Sequence, residues 1–384
     1  MEIKFGLISA DSHAGFGRDD FTARMSATKW GNKIPHVAPS EKNPSEEGWT
    51  MYDRPPGSQL ANCAALMPHP PVTYPTRWED VPLNYYLPSE RLKALDQDGV
   101  DAEVLFPNPP GNTFHGFDDV DFDLDVTRAY NDILSSWVKV SDRYWPLATL
   151  PWLQTPEGMV RELERAVEGG HRGINMLGRA PRTMPALTDP HWDPIWDACQ
   201  ALVVPVHFHG SAGINAGGAL KSWDGYSTRQ AHSASTSTSA VTPAQIIPQF
   251  IFSGVTERFP KLKVVFAEAG IGGLNYVLAA CDHEWETRHL WTDGMSTRPS
   301  EIVRRQMFVN FWFEDEGIKL RHDIGIENIM WESDFPHVTA YFPHSWDAVE
   351  RVLTGVPAED RPKLLYENAL RVYGVDAKVS LAKS

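Results

Sequence analysis

Eight short apolar runs recur along this chain of 384 residues, and a segment with helical character follows each of them. The runs cover residues 3–9, 102–107, 145–151, 172–177, 203–210, 262–268, 307–314 and 328–333. An apolar run of this length that is bounded by turn residues is typical of a buried strand. Eight such strands in alternation with helices predict an α/β fold, the parallel (β/α)8 TIM barrel.

Capping residues mark several of the helices between these strands. In "SERLKALDQDGV", Ser89 is a candidate N-cap residue and Gly99 is a stop signal. The segment "TPEGMVRELERAVEGG" begins with Thr155 as the N-cap residue and Pro156 at the first helical position, and it ends on two glycines. These signals predict helices that start near residues 89 and 156.

Two long segments do not fit the alternation. Residues 14–87 form an insertion after the first strand, and residues 210–242 form a loop after the fifth. Both leave from the C-terminal ends of strands, where such barrels place their active sites, so at least one is expected to cover the site near the barrel mouth. The second, which is rich in Ser and Thr, is equally typical of a flexible surface loop. In the insertion, Trp49 and Tyr52 could line a small-molecule pocket or simply pack over the barrel.

Composition excludes several classes of partner. The formal net charge of −15 argues against a nucleic-acid partner and against an anionic membrane surface. The three cysteines are widely spaced, which argues against a disulfide framework and favours the reducing cytoplasm. The first residues follow a strand pattern rather than a signal peptide, and no stretch approaches the roughly 18 apolar residues of a membrane-spanning helix. We expect one soluble cytoplasmic domain over residues 1–384 with a small-molecule substrate.

Polar side chains stand at the C-terminal ends of four predicted strands. They are Asp11 and His13 at strand one, His207 and His209 at strand five, Glu268 at strand six, and Asp334 at strand eight. Side chains two residues apart in a strand share a face, and the strand ends of a barrel converge on one mouth. Carboxylates and imidazoles packed there would repel one another or remain unpaired without a cation, because buried charge is costly. The pattern therefore indicates a divalent metal site.

Each of these residues also has a structural interpretation. His13 could be a hydrogen-bonded core histidine, and Glu268 could form an ion pair with an arginine such as Arg305. Asp334 could cap the turn before Pro336. The two histidines of strand five could bind metal, do catalytic work or hydrogen-bond in a core. The combination at strands one, five, six and eight is harder to obtain by accident than any single member of it.

Longer motifs add a specific family resemblance that covers most of the chain. They are "ISADSH", "DQDGVDAEVLFP", "RAYND", "GVTERFPKLKVVFAEAGIGGL", "IMWESDFPH" and "ENALRVYGV". With these motifs the sequence resembles the amidohydrolase superfamily, in the branch that includes aminocarboxymuconate semialdehyde decarboxylase and related aromatic decarboxylases. The resemblance implies a (β/α)8 barrel with metal bound at the C-terminal ends of the strands.

The resemblance also implies roles for particular residues. Its strand-one, strand-five and strand-eight ligands fall on Asp11, His13, His209 and Asp334. His207 lies one pleat deeper than His209, so we expect it to line the site or to support a ligand. His337, in "SDFPH", is a candidate for substrate or proton handling beside Asp334.

The sequence departs from the commonest superfamily pattern at two strands. Strand six carries Glu268 where a histidine is frequent, and strand four ends in "RGINML", without the lysine whose carbamate bridges two metals in binuclear hydrolases. With Glu268 included, the set has three carboxylates and two imidazoles. Such an oxygen-rich set suits Mn or Fe, whereas Zn favours more nitrogen or sulfur. Because Glu268 could bridge, the cofactor is one divalent ion or two, drawn from Zn, Mn and Fe.

The leading hypothesis is a metal-dependent hydrolase or non-oxidative decarboxylase that acts on a small carboxylate or amide. The metal would polarise the substrate or activate a bound water, and Asp334 would shuttle a proton. One alternative is a dinuclear Fe or Mn monooxygenase that activates dioxygen and hydroxylates a small substrate. A second is a non-catalytic paralogue in a heteromeric complex. The chain is expected to form a homo-oligomer or a heteromer with a related subunit.

Overall fold

The computed structural model describes residues 1–57, 60–68, 74–176, 184–210, 227, 230, 233–234, 236–238 and 241–381. The chain divides into two compact units. The first contains Met1–Ile174, Ser333–Asp347 and Ala377–Ser384, and the second contains Asn175–Glu332 and Ala348–Asp376. The expectation of a single domain stays a prediction.

Twelve strands occur in the described residues. They are β1 (Glu2–Ile3), β2 (Ile8–Ala14), β3 (His36–Pro39), β4 (Glu47–Thr50), β5 (Ala102–Pro107), β6 (Tyr144–Ala148), β7 (Gly173–Met176), β8 (Val206–His209), β9 (Val264–Ala267), β10 (Met307–Phe311), β11 (Ile329–Trp331) and β12 (Lys378–Val379). Eight of them, β2 and β5 to β11, form one sheet in which spatial order follows chain order.

The registers within this sheet are parallel. In the first unit Glu103 lies opposite Tyr144, and in the second unit Val206 lies opposite Val264. Within the first unit, Ser12 of β2 also forms a parallel bridge with Phe335, which follows β11 in the chain. Parallel strands in chain order with helices in their connections are the topology of a (β/α)8 barrel, so the predicted fold class is confirmed.

The longer helices lie mainly between these strands. They are Pro88–Asp98, Val120–Val138, Pro156–Glu168, Asp193–Leu202, Val241–Phe252, Leu274–Thr287, Pro299–Gln306 and Ser345–Val352. Shorter helices are Ala27–Trp30, Leu83–Tyr86, Val255–Arg258, Asp315–Lys319, Arg321–Ile324 and Asn368–Val372, with a π-helical turn at Lys363–Glu367. Among the helices of the described ranges, none has the length and apolar character needed to cross a membrane.

The first barrel strand differs from the prediction. The sequence placed it at residues 3–9, whereas β2 begins at Ile8. The carboxylate of Asp101 accepts the backbone N–H groups of residues 4–7 at 2.7–3.2 Å, and an extended strand cannot wrap four consecutive N–H groups around one carboxylate. These residues therefore form a loop, and the short β1 before it pairs with β12 instead.

The two predicted N-caps have different outcomes. The hydroxyl of Thr155 accepts a first-turn backbone N–H at 3.3 Å, so this cap is confirmed. Ser89 as a cap is wrong, because the helix begins at Pro88 with Leu87 as its N-cap residue and no side-chain hydrogen bond caps it. Proline fits the first helical position, since its ring presets φ and the N–H it lacks would be unpaired there. Gly99 ends this helix in the left-handed conformation, as predicted.

The insertion of residues 14–87 has structure of its own. β3 and β4 form an antiparallel hairpin, and residues 60–68 pack against the segment that follows β11. There the backbone N–H of Ala65 donates to the carbonyl of Pro336 at 3.1 Å, and Ala65 contacts Phe335. Most of the predicted loop 210–242 lies outside the described residues. The expectation that either segment covers the site stays a prediction.

The two candidate caps allow a matched stability test. Thr155 and Ser89 are both exposed, and only Thr155 accepts a capping hydrogen bond. Thr155→Ala should lower the free energy of unfolding by about 1 kcal/mol, whereas Ser89→Ala should change it by less than about 0.5 kcal/mol. Urea unfolding followed by circular dichroism measures both. Equal losses of stability in the two variants would show that Ser89 does cap the helix Pro88–Asp98.

Candidate metal centre

Asp11 and His13 lie in β2, whose seven residues are all buried. β2 pairs in parallel with β5, which sets His13 opposite Phe106. Because side chains two apart in a strand share a face, the Asp-x-His spacing brings the two side chains together. Nε2 of His13 lies 3.5 Å from Oδ1 of Asp11. The structure thus places this predicted pair side by side.

Residues 333–337, called the Asp334 turn below, pair with β2 in the first unit. The N–H of Asp334 donates to the carbonyl of Asp11 at 3.0 Å, and the N–H of His13 donates to the carbonyl of Phe335 at 2.7 Å. Asp334 has φ of 54°, a left-handed conformation that few non-glycine residues adopt, although Asp tolerates it better than most. These backbone bonds hold the conformation and set the Asp334 side chain beside His13.

Three side chains meet at this turn. Oδ1 of Asp334 lies 3.1 Å from Nε2 of His13 and 2.8 Å from Nδ1 of His337. The two imidazole rings stack with centroids 3.8 Å apart. One ligand atom from each of the three residues lies within 4.8 Å of the others. The second carboxylate oxygen of Asp334 accepts a hydrogen bond from the hydroxyl of Thr339.

The tautomer of His13 favours a cation at this position. Its Nδ1 lies 3.3 Å from the carbonyl oxygen of Pro107, so Nδ1 carries the proton of a neutral ring. Burial and the charge of His337 lower the pKa of His13 to about 4, outweighing the raising effect of Asp334, so the ring is neutral at pH 7. Its Nε2 lone pair then faces the carboxylates of Asp334 and Asp11. That contact is unfavourable unless a cation lies between them, and the donor set therefore fits a divalent metal.

Asp334 is ionised at neutral pH. Burial by itself raises the pKa of this carboxyl group, but the charge of His337 and its hydrogen bond to Asp334 outweigh burial, so the pKa of Asp334 lies well below its usual range. A ligand carboxylate has to be ionised and a ligand imidazole has to be neutral. Asp334 and His13 are already in those forms.

His337 has an acceptor at each ring nitrogen. Nδ1 faces Asp334, and Nε2 lies 3.1 Å from Oδ1 of Asn108. The Asn108 amide is oriented by its Nδ2, which donates to the carbonyl of Asn62 at 3.5 Å. With an acceptor on each side, the ring can hold two protons. The predicted role of His337 in substrate or proton handling beside Asp334 stays a prediction.

His209 and Glu268, two predicted ligands, lie together in the second unit. β8 and β9 pair in parallel with His209 opposite Ala267, so Glu268, directly after β9, comes beside the imidazole. Nδ1 of His209 lies 3.3 Å from Oε2 of Glu268. Glu268 has φ of 47°, and its N–H donates to both carboxylate oxygens of Glu332 at 3.0 and 3.1 Å. Arg305, the alternative partner considered for Glu268, donates through its guanidinium to Gln306 and to the backbone carbonyl of Thr256.

His207 has a hydrogen-bonding partner in the core of the second unit. It is fully buried, and its Nε2 lies 2.8 Å from the hydroxyl of Tyr373, whose ring stacks on the imidazole at 5.6 Å. Burying an imidazole requires such a partner. The expectation that His207 lines the site or supports a ligand stays a prediction.

Trp49 and Tyr52 take part in the packing of the insertion. Trp49 is buried, and its indole N–H donates to the carbonyl of Leu60 at 3.0 Å. The Tyr52 hydroxyl donates to Asp118, and its ring packs against Phe122 with centroids 4.9 Å apart. A role for either residue in substrate binding stays a prediction.

The sequence pattern did not reveal three residues that hydrogen-bond the predicted site residues Glu268, His337 and Asp334. Glu332 stands two positions before Asp334 in "WESDF", and the same period-two rule that selected Asp11 and His13 could have selected it. Asn108 and Thr339 lie in loops, where no periodicity marks a residue that orients a catalytic group.

Imidazole and carboxylate donors at the strand ends of a (β/α)8 fold define a class of metal-dependent barrel enzymes. A sequence profile of the amidohydrolase family matches residues 48–375, and the chain belongs to that family. The prediction of an amidohydrolase-superfamily enzyme is therefore confirmed.

Relatives and solved structures agree with this assignment. The 2-amino-3-carboxymuconate-6-semialdehyde decarboxylase of Dictyostelium discoideum is 25% identical over 275 residues, which cover 67% of this chain and 69% of the relative. An amidohydrolase structure from Mycobacterium avium subsp. paratuberculosis K-10 has a TM-score of 0.75 at 19% identity, covering 96% of this chain and 98% of its own.

Decarboxylases are also among the similar structures. The 5-carboxyvanillate decarboxylase of Sphingomonas paucimobilis has a TM-score of 0.64 at 19% identity, covering 98% of this chain and 100% of its own. A dihydroxybenzoic acid decarboxylase from Polaromonas sp. JS666, solved with bound manganese, has a TM-score of 0.58 at 23% identity, covering 77% of this chain and 89% of its own. These structures share the fold of this chain.

Metal content can test the predicted ligands. Four single alanine variants are made, at Asp11, His13, His209 and Glu268. Each should bind less Mn²⁺ per chain than the wild type, because each substitution removes a donor atom. His207→Ala, one pleat away on the same strand as His209, is the matched control and should retain most of the metal. Elemental analysis after dialysis against Mn²⁺ measures this. Full metal content in His209→Ala would exclude it as a ligand, and equal loss in both variants would make His207 a ligand too.

Two buried histidines predict a pH dependence of the metal-free protein. Burial lowers the pKa of His171 to about 4, as it does for His13. Because the folded-state pKa values are lowered, the unfolded chain binds more protons between about pH 6.5 and 4. The free energy of unfolding should therefore decrease as the pH is lowered from about 6.5 to 4, by up to about 1.4 kcal/mol per pH unit for each histidine.

The two histidines can be separated by substitution. His13→Gln and His171→Gln should each remove one histidine's share of the pH dependence, measured as urea unfolding in EDTA at pH 7 and pH 5. Only His13→Gln should weaken Mn²⁺ binding, because His171 hydrogen-bonds the carbonyl of Ala166 and is no predicted ligand. An unchanged slope in His13→Gln would show that the ring is protonated in the folded protein at pH 5.

Proposed function

We propose that this protein is a metal-dependent, non-oxidative decarboxylase of a small aromatic carboxylate. The observation that carries the proposal is the fully buried Asp334 carboxylate, ionised and in contact with an imidazole that can hold two protons. Decarboxylation needs such a pair, because a proton has to reach the carbon that loses CO2. The names of the similar decarboxylases, which act on 5-carboxyvanillate and on dihydroxybenzoic acid, support an aromatic substrate.

In the first unit the proposed metal ligands are Asp11, His13 and Asp334, which lie together. In the second unit His209 and Glu268, which lie beside each other, stay predicted ligands. The set could hold one divalent ion or two, and its three carboxylates favour Mn or Fe over Zn. The manganese in the dihydroxybenzoic acid decarboxylase structure supports Mn as the first ion to test.

A bound divalent metal supplies a Lewis acid that withdraws electron density from the substrate carboxylate and its neighbouring oxygen atoms. His337 holds a proton between Asn108 and Asp334 and passes it to Asp334. The bond between the ring carbon and the carboxylate breaks, CO2 leaves, and the electron pair remains on the carbon. Asp334 delivers its proton to that carbon, and His337 regains a proton from solvent.

Burial of the acid supports this assignment. Asp334 is 0% exposed and His13 is 3% exposed, so little water competes for the proton. In a water-poor site the charges of the carboxylate and of the imidazolium interact strongly. The Thr339 hydroxyl donates a hydrogen bond to Oδ2 of Asp334. Oδ1 is therefore the oxygen that exchanges the proton with His337.

The proposal is tested on protein purified without added metal. Elemental analysis identifies the ion, and 5-carboxyvanillate and 2,6-dihydroxybenzoate are assayed for CO2 release with an oxygen electrode in the same cell. We expect one CO2 per product, no oxygen uptake, loss of activity in EDTA and recovery with Mn²⁺. Oxygen uptake by an iron-containing protein would replace the proposal by the monooxygenase alternative. Release of amine from amide analogues would replace it by the hydrolase. No metal and no turnover would favour a non-catalytic paralogue.

Asp334→Asn separates proton transfer from ligand binding. The amide keeps the shape and one donor oxygen but cannot shuttle a proton, so turnover should fall by roughly 10²-fold or more while the fold and much of the metal remain. Asp123→Asn is the matched control, since Asp123 is a buried aspartate of the same unit that accepts a single backbone N–H. Near-normal turnover in Asp334→Asn would remove Asp334 from the mechanism. Loss of the metal together with turnover would make Asp334 chiefly a ligand.

A further inference from the structure

A fully buried ion pair lies next to the Asp334 turn. Arg91 stands on the helix Pro88–Asp98 and Glu103 on β5, and both side chains are 0% exposed. Nε and Nη2 of Arg91 donate to the two carboxylate oxygens of Glu103 at 2.9 and 2.7 Å. This bidentate geometry fixes the plane of the guanidinium group. The proposed reaction uses neither residue.

Arg91 makes two contacts with the turn. Its Nη2 also donates to the carbonyl of Phe335 at 3.2 Å, and its guanidinium carbon lies 4.1 Å from the centroid of the Phe335 ring. The same carbonyl accepts the N–H of His13 at 2.7 Å. One carbonyl oxygen thus joins Arg91 to the strand residue that faces Asp334.

The turn needs support of this kind. Asp334 has a positive φ, which persists in a non-glycine residue only when surrounding contacts hold it. Phe335 directly follows Asp334, and its N–H donates to the hydroxyl of Ser333 at 3.2 Å while its carbonyl accepts from Arg91 and His13. The backbone around Asp334 is therefore held from the side of Arg91 as well as from β2.

Stability alone is a poor reason for this ion pair. Removing two charges from water costs about as much as their attraction returns, and apolar residues of similar volume often replace a buried pair without loss of stability. A bidentate, planar donor group does offer a fixed direction for a hydrogen bond, which apolar side chains lack.

We propose that Arg91 and Glu103 are positioning residues, which hold the Phe335 carbonyl and thereby the Asp334 carboxylate in the geometry that binds metal and exchanges a proton with His337. This inference rests on the proposed function of Asp334. Glu103 orients Arg91, and Arg91 acts through the backbone of the turn.

The test replaces the pair without leaving a single buried charge. The double variant Arg91→Met/Glu103→Leu keeps apolar volume and is expected to fold, with a melting temperature near that of the wild type. Its matched control is Arg165→Met/Glu162→Leu, which removes another ion pair of the first unit, one whose buried Glu162 binds helix residues only. Arg91→Lys, with Glu103 intact, is a second variant that retains the charge and loses the bidentate geometry.

Two measurements need no substrate. Electron paramagnetic resonance of free Mn²⁺ gives the Kd of each variant, and ¹⁵N spectra of histidine-labelled, metal-free protein report the ring nitrogens of His337, assigned with His337→Gln. We expect Mn²⁺ binding at least about tenfold weaker in the double variant, and the His337 Nδ1 resonance shifted towards that of a free imidazole. The control should stay within twofold of the wild type, and Arg91→Lys should fall between them. With a substrate in hand, kcat should fall more than KM rises.

The outcomes separate the two proposals. An unshifted His337 resonance together with an unchanged Mn²⁺ Kd in the folded double variant would overturn the positioning role. If the double variant does not fold, the same result in Arg91→Lys would overturn it. A wild-type protein that binds no metal and releases no CO2, but whose His337 resonance shifts in the double variant, would refute the proposed function and leave the positioning role in place.

Discussion

The candidate site depends on the fully buried carboxylate of Asp334, whose Oδ1 contacts two imidazole rings that stack on each other. Within hydrogen-bonding distance of His13 and His337, it is held in the ionised form in spite of burial. Because His13 turns its protonated nitrogen to the Pro107 carbonyl, its other nitrogen faces this carboxylate with a lone pair. The proposed reaction uses both contacts, with His337 as the group that holds a proton and Nε2 of His13 as a donor atom for a metal ion.

Backbone conformation at the strand ends supports this chemistry in each unit. Asp334 and Glu268 are both non-glycine residues with positive φ, and both stand where a barrel strand has just ended. The N–H of Asp334 donates to the carbonyl of Asp11, and the N–H of Glu268 donates to the carboxylate of Glu332. Such conformations carry strain and persist where surrounding contacts determine them, which is frequent at functional sites. The same hydrogen bonds that make the conformation tolerable also set the direction of the acidic side chain.

The fold was predicted well where the signal was local and poorly where a distant residue intervened. Thr155 caps its helix because its own hydroxyl reaches the first turn, so the pattern in the sequence was sufficient. Ser89 failed because the neighbouring Pro88 competes for the first helical position. The first barrel strand was displaced by Asp101, whose carboxylate gathers the N–H groups of residues 4–7 from almost a hundred positions further along the chain. No window of the sequence around residues 3–9 contains that information.

The sequence by itself determined the alternation of strands and helices, the family motifs, and the placement of carboxylates and imidazoles at strand ends, because periodicity and spacing are properties of neighbouring residues. Only the tertiary structure decided which hydrogen bonds each of those groups makes. The Pro107 carbonyl selects the tautomer of His13, Asn108 orients His337, and Arg91 holds the Asp334 turn through a carbonyl 244 positions away in the chain. A hydrogen bond depends on distance and direction between two atoms, and for partners so far apart in sequence both are set only when the chain has folded.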